Sequence, residues 1–191
     1  MREYREIRAG TGFLELCKNP SLAAEVTVTA AERLRVDAAI IFADILLVLE
    51  PMGIELEFAR NEGPVINNPI RNRSDISHLH EIEDTSSLEF VFDAIRQTRS
   101  ALRADLPLIG FSGAPFTLAS YMVEGGGSRN YVKTKSLMYS DPSAWHEMMA
   151  LISRALAKYL NAQSEFLPEI FLQLSYGITS GKRHHADMLQ V

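Results

Sequence analysis

Two short apolar runs constrain the fold of this chain more than any other feature. Ala38-Ala39-Ile40-Ile41-Phe42 and the stretch from Leu106 to Phe111 are continuous rather than alternating, and each is of strand length. A strand with apolar residues on both faces is covered on both faces, the condition of a parallel sheet lying between layers. Pro107 sits at the start of the second run, where a missing N–H is tolerated. Helical periods flank both runs. Pro20 to Arg35 places Leu22, Val26, Ala30 and Leu34 on one face, with Asn19 as cap and Pro20 in the first turn. Thr85 to Arg103 repeats the period through Leu88, Phe92, Ile95 and Arg99. Ser112-Gly113-Ala114-Pro115 reads as a turn into a helix running through Val123, and Gly125-Gly126-Gly127 as a hinge-like break. Ser128 is a candidate cap for the next helix, and Asp141-Pro142 opens a long one to about Gln163. Between the two runs, Ile54 to Phe58 alternates like a strand, Asn61 to Pro69 reads as loop, and Asp75 to Glu83 as a short helix or turn. Alternating helices and buried strands, with no repeat and no linker, predict one α/β unit around a parallel sheet.

Composition narrows the function classes. With 191 residues, 47% of them apolar, the chain can bury a sizeable core. A net charge of −5 and the absence of any Lys/Arg-rich cluster argue against a nucleic-acid partner. An anionic ligand would therefore need cations gathered locally. A single cysteine, Cys17, excludes an internal disulfide framework or a cysteine-rich zinc site, and the five histidines form no metal motif. Met1 to Arg8 carries three arginines and two glutamates, unlike a signal peptide, and the apolar stretch Ala38 to Leu49 is interrupted by Asp44 and too short for a bilayer. The expectation is a cytoplasmic protein with neither a membrane nor a nucleic-acid partner.

Three places carry residues suited to chemistry. Asp44 follows the first apolar run by two residues, at the strand end where α/β proteins build their sites. Two readings stand side by side: a carboxylate held for a cationic or N–H-donating ligand, or a cap for the segment Ile45 to Leu49. Gly110-Phe111-Ser112-Gly113-Ala114-Pro115 again passes from strand to helix, with small residues that admit a ligand close to the backbone or serve packing alone. Tyr121-Met122-Val123-Glu124-Gly125-Gly126-Gly127-Ser128 has one glycine that helix termination explains and two that it does not, which suggests a mobile lid or an anion nest. His184-His185 lies in a polar stretch and reads as solvated.

At these stretches the sequence resembles the uroporphyrinogen decarboxylase family. The resemblance is carried by the blocks Glu3 to Arg8, Phe13 to Cys17, Val36 to Leu46 and above all Pro107 to Ser128, and covers about residues 2 to 163. It implies a (β/α)8 barrel of which this chain encodes about half. It also implies cofactor-free and metal-free removal of the four acetate carboxyls of uroporphyrinogen, a small-molecule substrate, to give coproporphyrinogen in heme biosynthesis, by an enzyme that forms a homodimer. In that likeness Asp44 is the catalytic residue, an anion stabilising a developing cation. Tyr121 binds a substrate carboxylate, Phe13 and Phe111 line the cleft, and Ile40 and Phe42 belong to the strand beneath the macrocycle, with Gly113 close to the substrate. Arg2 is the candidate for the first of the family's two N-terminal arginines, and no residue stands for the second. Residues 1–163 thus read as a partial barrel and 164–191 as a divergent tail, where the family's next strand is not expected and a frameshift or truncation is. Two alternatives accompany this reading: an inactive remnant, or a methyltransferase of the same superfamily, which would want a zinc ligand set this sequence does not assemble.

Overall fold

The computed structural model describes residues 1–59, 63–167 and 170–174. Two short helices, α1 (Arg2–Gly10) and α2 (Phe13–Lys18), lead into α3 (Pro20–Leu34). Asn19 caps α3 as its sequence predicts, its Oδ1 accepting from Leu22 N–H at 3.1 Å. Strand β1 (Ala39–Ile40) follows, then a 3-10 turn at Leu47–Leu49 and a hairpin of β2 (Leu56–Ala59) and β3 (Gly63–Ile66). Helices α4 (Arg73–Ile76) and α5 (Glu89–Ala101) precede β4 (Leu108–Gly113). After it come α6 (Pro115–Glu124), α7 (Val132–Ser140), α8 (Pro142–Ser164) and β5 (Ile170–Leu174). Asp141 opens α8 as a cap, accepting from Ala144 N–H at 3.0 Å.

The main sheet runs β1-β4-β5, both pairings parallel. Its strands lie side by side in chain order, as they do around a barrel and unlike a doubly wound sheet that reverses at a switch point. Ala39 (4% exposed), Ile41 (2%) and Leu108 (0%) face the helical layer, whereas Ile40, in register with Ile109, is 48% exposed. One face of the sheet is therefore packed under helices, while the other is open at Ile40 and closes over toward Phe111, which is buried at 8% exposure. The core lies in the packed layer, where α3 meets α5 and α8 meets β4 and α6, around Leu16, Leu47, Phe92, Ile95, Leu118 and Met122. Among the described residues no helix is long and apolar enough to cross a membrane.

Four expectations need correction. The stretch Asn61 to Pro69 is not all loop, because Gly63–Ile66 pairs antiparallel with β2, Leu56 opposite Ile66. Its turn-forming residues hide a strand that exists through cross-strand pairing. Ser112 and Gly113 belong to β4 rather than to a turn, since Gly113 still pairs with Leu174. Two of the three glycines are tied to the body of the molecule rather than free. Gly125 ends α6 in the left-handed conformation (φ 87°), Gly126 bridges to Val65, and a Cβ on Gly126 would lie 3.0 Å from the Pro64 carbonyl oxygen. The second glycine is thus explained by close approach to the hairpin. Finally, a strand lies where none is expected after residue 163, because β5 extends the ladder of β4. Residues 168–169 and 175–191, His184-His185 included, lie outside the described residues.

Candidate active site

Because β1 and β4 are parallel, both leave the sheet at the same end. After Ile41 the chain departs from β4, turns through Asp44, and enters the 3-10 turn. After Gly113 the other strand enters α6, with Pro115 in the first turn where its missing N–H has no helical partner to lose. The two exits touch. A Cβ placed on Gly113 would lie 3.2 Å from Ile45 Cβ and 2.9 Å from Leu118 Cδ2, so the residue beside Asp44, the end of β4 and α6 meet at a point that admits no side chain.

Asp44 is half-buried, and its Oδ1 accepts from Leu46 N–H at 2.8 Å. That bond closes a local turn, whereas the 3-10 turn at Leu47–Leu49 takes Leu46 as its N-cap with no side-chain cap bond, and the turn does not exhaust the residue. Burial pushes the carboxyl above its ordinary range, opposed by the Leu46 N–H, and among the described residues no cation pairs with it. Its charge is felt by groups deeper in the core. Burial first and Asp44 second push the Cys17 thiol up to about 12, with Arg8 and Lys18 opposing. The same two causes, in the same order, raise Tyr159. A carboxylate in this position retains an unmet demand for N–H donors or positive charge.

Around the exit of β1 stands an aromatic cluster. Phe42 meets Phe13 edge-on at 6.0 Å between centroids and Tyr4 at 6.0 Å, and Phe13 meets Phe58 of the hairpin at 4.5 Å. Such pairs hold their geometry at about 0.5–1.5 kcal/mol each beyond burial. The Arg8 guanidinium lies over the Phe13 ring, 5.6 Å from its centroid. Arg8 is the residue that sequence reasoning missed. Three arginines lie in this helix, and charge alone does not say which one turns toward the aromatics.

Of the residues expected at a site, the structure joins Phe13 to Phe42, and the turn after Asp44 to Gly113. Ile40 and Ile109 share a face of the sheet, and Phe111 and Gly113 fall on that face by alternation along β4. Tyr121 lies on α6, half-buried against the core. Arg2 is not drawn in: it is exposed on α1 and pairs with Glu6 at 2.8 Å. A shallow surface pocket beside the hairpin, bounded by Gly53, Asn68, Ile70, Asp75 and His78, contains none of these residues.

The family model for uroporphyrinogen decarboxylase (URO-D) matches residues 1–166. The chain belongs to the uroporphyrinogen decarboxylase family. Family members named uroporphyrinogen decarboxylase are 53% identical in Carboxydothermus hydrogenoformans over 163 residues, 85% of this chain and 47% of that protein. The protein of that name in Sorangium cellulosum is 54% identical over 163 residues, again 85% of this chain and 46% of the relative. The chain spans about half the length of the curated relatives it matches. A solved methyltransferase from Methanosarcina mazei superposes with a TM-score of 0.64 at 18% identity, over 87% of this chain and 48% of that one. That likeness bears on the fold alone. The URO-D family is built on a (β/α)8 barrel, and the side-by-side parallel order β1-β4-β5 is the order that barrel strands take.

Proposed function

We propose that the chain carries the charge-stabilising part of a uroporphyrinogen decarboxylase site, which removes the four acetate carboxyls of uroporphyrinogen III to give coproporphyrinogen III. The observation that carries this reading is Asp44, a half-buried carboxylate with one N–H donor and, among the described residues, no cation, at the shared exit of two parallel strands. Pyrrole N–H groups converging on it meet its unmet demand. A protonated pyrrole accepts the electron pair of the breaking carbon–carboxyl bond, and the anion opposite stabilises the cation. Phe13, Phe42 and Phe111 give the macrocycle an apolar bed, Arg8 supplies charge for its carboxylates, and the Tyr121 hydroxyl donates to one of them. The same reading places the intact enzyme in the cytoplasm as a homodimer, with no nucleic-acid partner, in accord with a net charge of −5.

Anaerobic calorimetry with uroporphyrinogen tests the assignment on this chain, with coproporphyrinogen formation followed in parallel. The chain alone is expected to bind but to turn over slowly, since its relatives are about twice as long. Asp44→Asn is expected to weaken binding about tenfold, and to lower turnover about 10²–10³-fold where the same change is made in a full-length relative. Equal binding by Asp44→Asn would reduce this residue to the local turn it closes.

A further inference from the structure

The ladder between β1 and β4 stops early. Ala39 N–H donates to the Pro107 carbonyl at 2.9 Å and Ile41 N–H to the Ile109 carbonyl at 3.0 Å, with Ala39 opposite Leu108 and Ile40 opposite Ile109. One more rung of a parallel ladder would send Phe111 N–H to the Ile41 carbonyl and Ala43 N–H to the Phe111 carbonyl. Both groups of Phe111 are already taken. Gln163 Oε1 accepts from Phe111 N–H at 3.2 Å, and Gln163 Nε2 donates to the Phe111 carbonyl at 3.1 Å. Gln163 lies in the last turn of α8 and is fully buried, at 0% exposure. Its amide presents one acceptor and one donor, the same pair that the continuing strand would have offered.

On the opposite edge of β1, Phe42 N–H donates to Thr27 Oγ1 at 2.9 Å, and that hydroxyl donates to the Ala23 carbonyl at 2.8 Å. The departing chain is thus held from the helix side while Gln163 occupies the place it has left. Phe111 N–H, the Phe111 carbonyl and Phe42 N–H thus all keep partners where the strands part.

We propose that Gln163 is a positioning residue of the candidate site: its amide fills the rung beyond Ile41, keeps β1 and β4 from zipping further, and so releases Ala43 and Asp44 to turn over the end of the sheet. The proposal rests on the reading of Asp44 and Phe111 as site residues. It assigns a role to the last turn of a helix whose sequence shows only an amphipathic period.

The test is nuclear magnetic resonance on the isotopically labelled 191-residue chain. In the unaltered protein, coupling across the hydrogen bond is expected between Phe111 N–H and the Gln163 side-chain carbonyl. A coupling from Phe111 N–H to the Ile41 carbonyl would overturn the proposal at once, with no variant involved. Gln163→Met keeps the length of the side chain and deletes both bonds. In that variant the ladder is expected to extend, with the Ile41 coupling appearing and Ala43 amide exchange slowing about tenfold. The Asp44 carboxyl resonance should then titrate at a different pH. If Gln163 serves packing alone, Phe111 exchange quickens in the variant while Ala43 and the Asp44 titration stay as they were, and the proposal fails. Should Gln163→Met not fold, the coupling in the unaltered chain still decides. None of these measurements reads binding or turnover, so failure here is distinguishable from failure of Asp44→Asn under the functional assignment.

Discussion

Helices α6 and α1 both bear residues of the candidate site, and they are held in opposite ways. Six of the ten residues of α6 are buried, and its final carbonyls are met by Ile70 N–H at Met122, the Arg71 guanidinium at Val123 and Ile66 N–H at Gly125. Glu124 reaches on from its end to accept from Thr134 N–H and Oγ1, both at 2.9 Å, in the first turn of α7. None of the nine residues of α1 is buried. That helix is tied by Glu3 to Arg33 at 2.7 Å, by the Tyr4–Phe42 ring contact and by Arg8 over Phe13. Exposed ion pairs contribute little, so α1 belongs to the low-stability end of the molecule. The wall of the site is well anchored, while the cation over Phe13 rides on a helix with no buried residue.

The largest effect should come from cutting into the fixed side. Leu118→Ala, at a fully buried position, is expected to cost about 2–5 kcal/mol in urea unfolding. A loss under about 1 kcal/mol would mean that α6 is no better anchored than α1. Gly113→Ala should cost about 1–3 kcal/mol by overpacking against Leu118. Because its new methyl would enter the space that Leu118→Ala vacates, the double variant should lose less than the sum. Strict additivity would separate the two sites.

Asp44→Asn comes next, and its sign depends on pH. Burial holds the carboxyl above its ordinary value in the folded chain, so the folded chain binds that proton more readily than the unfolded one. Above the raised value the ionised group detracts from stability, and this cost is relieved as pH falls through that value toward the ordinary one. The amide can still accept from Leu46 N–H. Asp44→Asn should therefore melt at or above the unaltered chain at pH 7, with the difference closing in acid. A lower melting temperature at pH 7 would reveal a cation already paired with Asp44. The smallest effect is expected on α1, where Arg2→Ala removes an exposed pair and should change stability by less than about 0.5 kcal/mol.

What was legible in the sequence is what local chemistry dictates. Asn19 before Pro20 and Asp141 before Pro142 announce helices because cap and first turn lie within a few residues. Asp44 stands out because a carboxylate beside an apolar run has few reasons to be there. The strand Gly63–Ile66 was hidden because its partner, not its composition, makes it a strand. Gln163 was hidden for the same reason at longer range, since the groups it satisfies lie 52 residues away. Arg8 differs from its neighbours only in the direction it faces, which the helical period of a nine-residue, highly charged segment leaves open.

The buried Cys17 has a practical consequence. It is the chain's single cysteine, lies at 1% exposure on α2, and has its thiol pushed up to about 12. A thiol so shielded and so firmly protonated ignores alkylating reagents, whereas an unfolded cysteine near pH 8 reacts as its thiolate. Each alkylation event therefore records one departure of α2 from the core. The protein carries its own clock for that opening, readable by mass and needing no added dye.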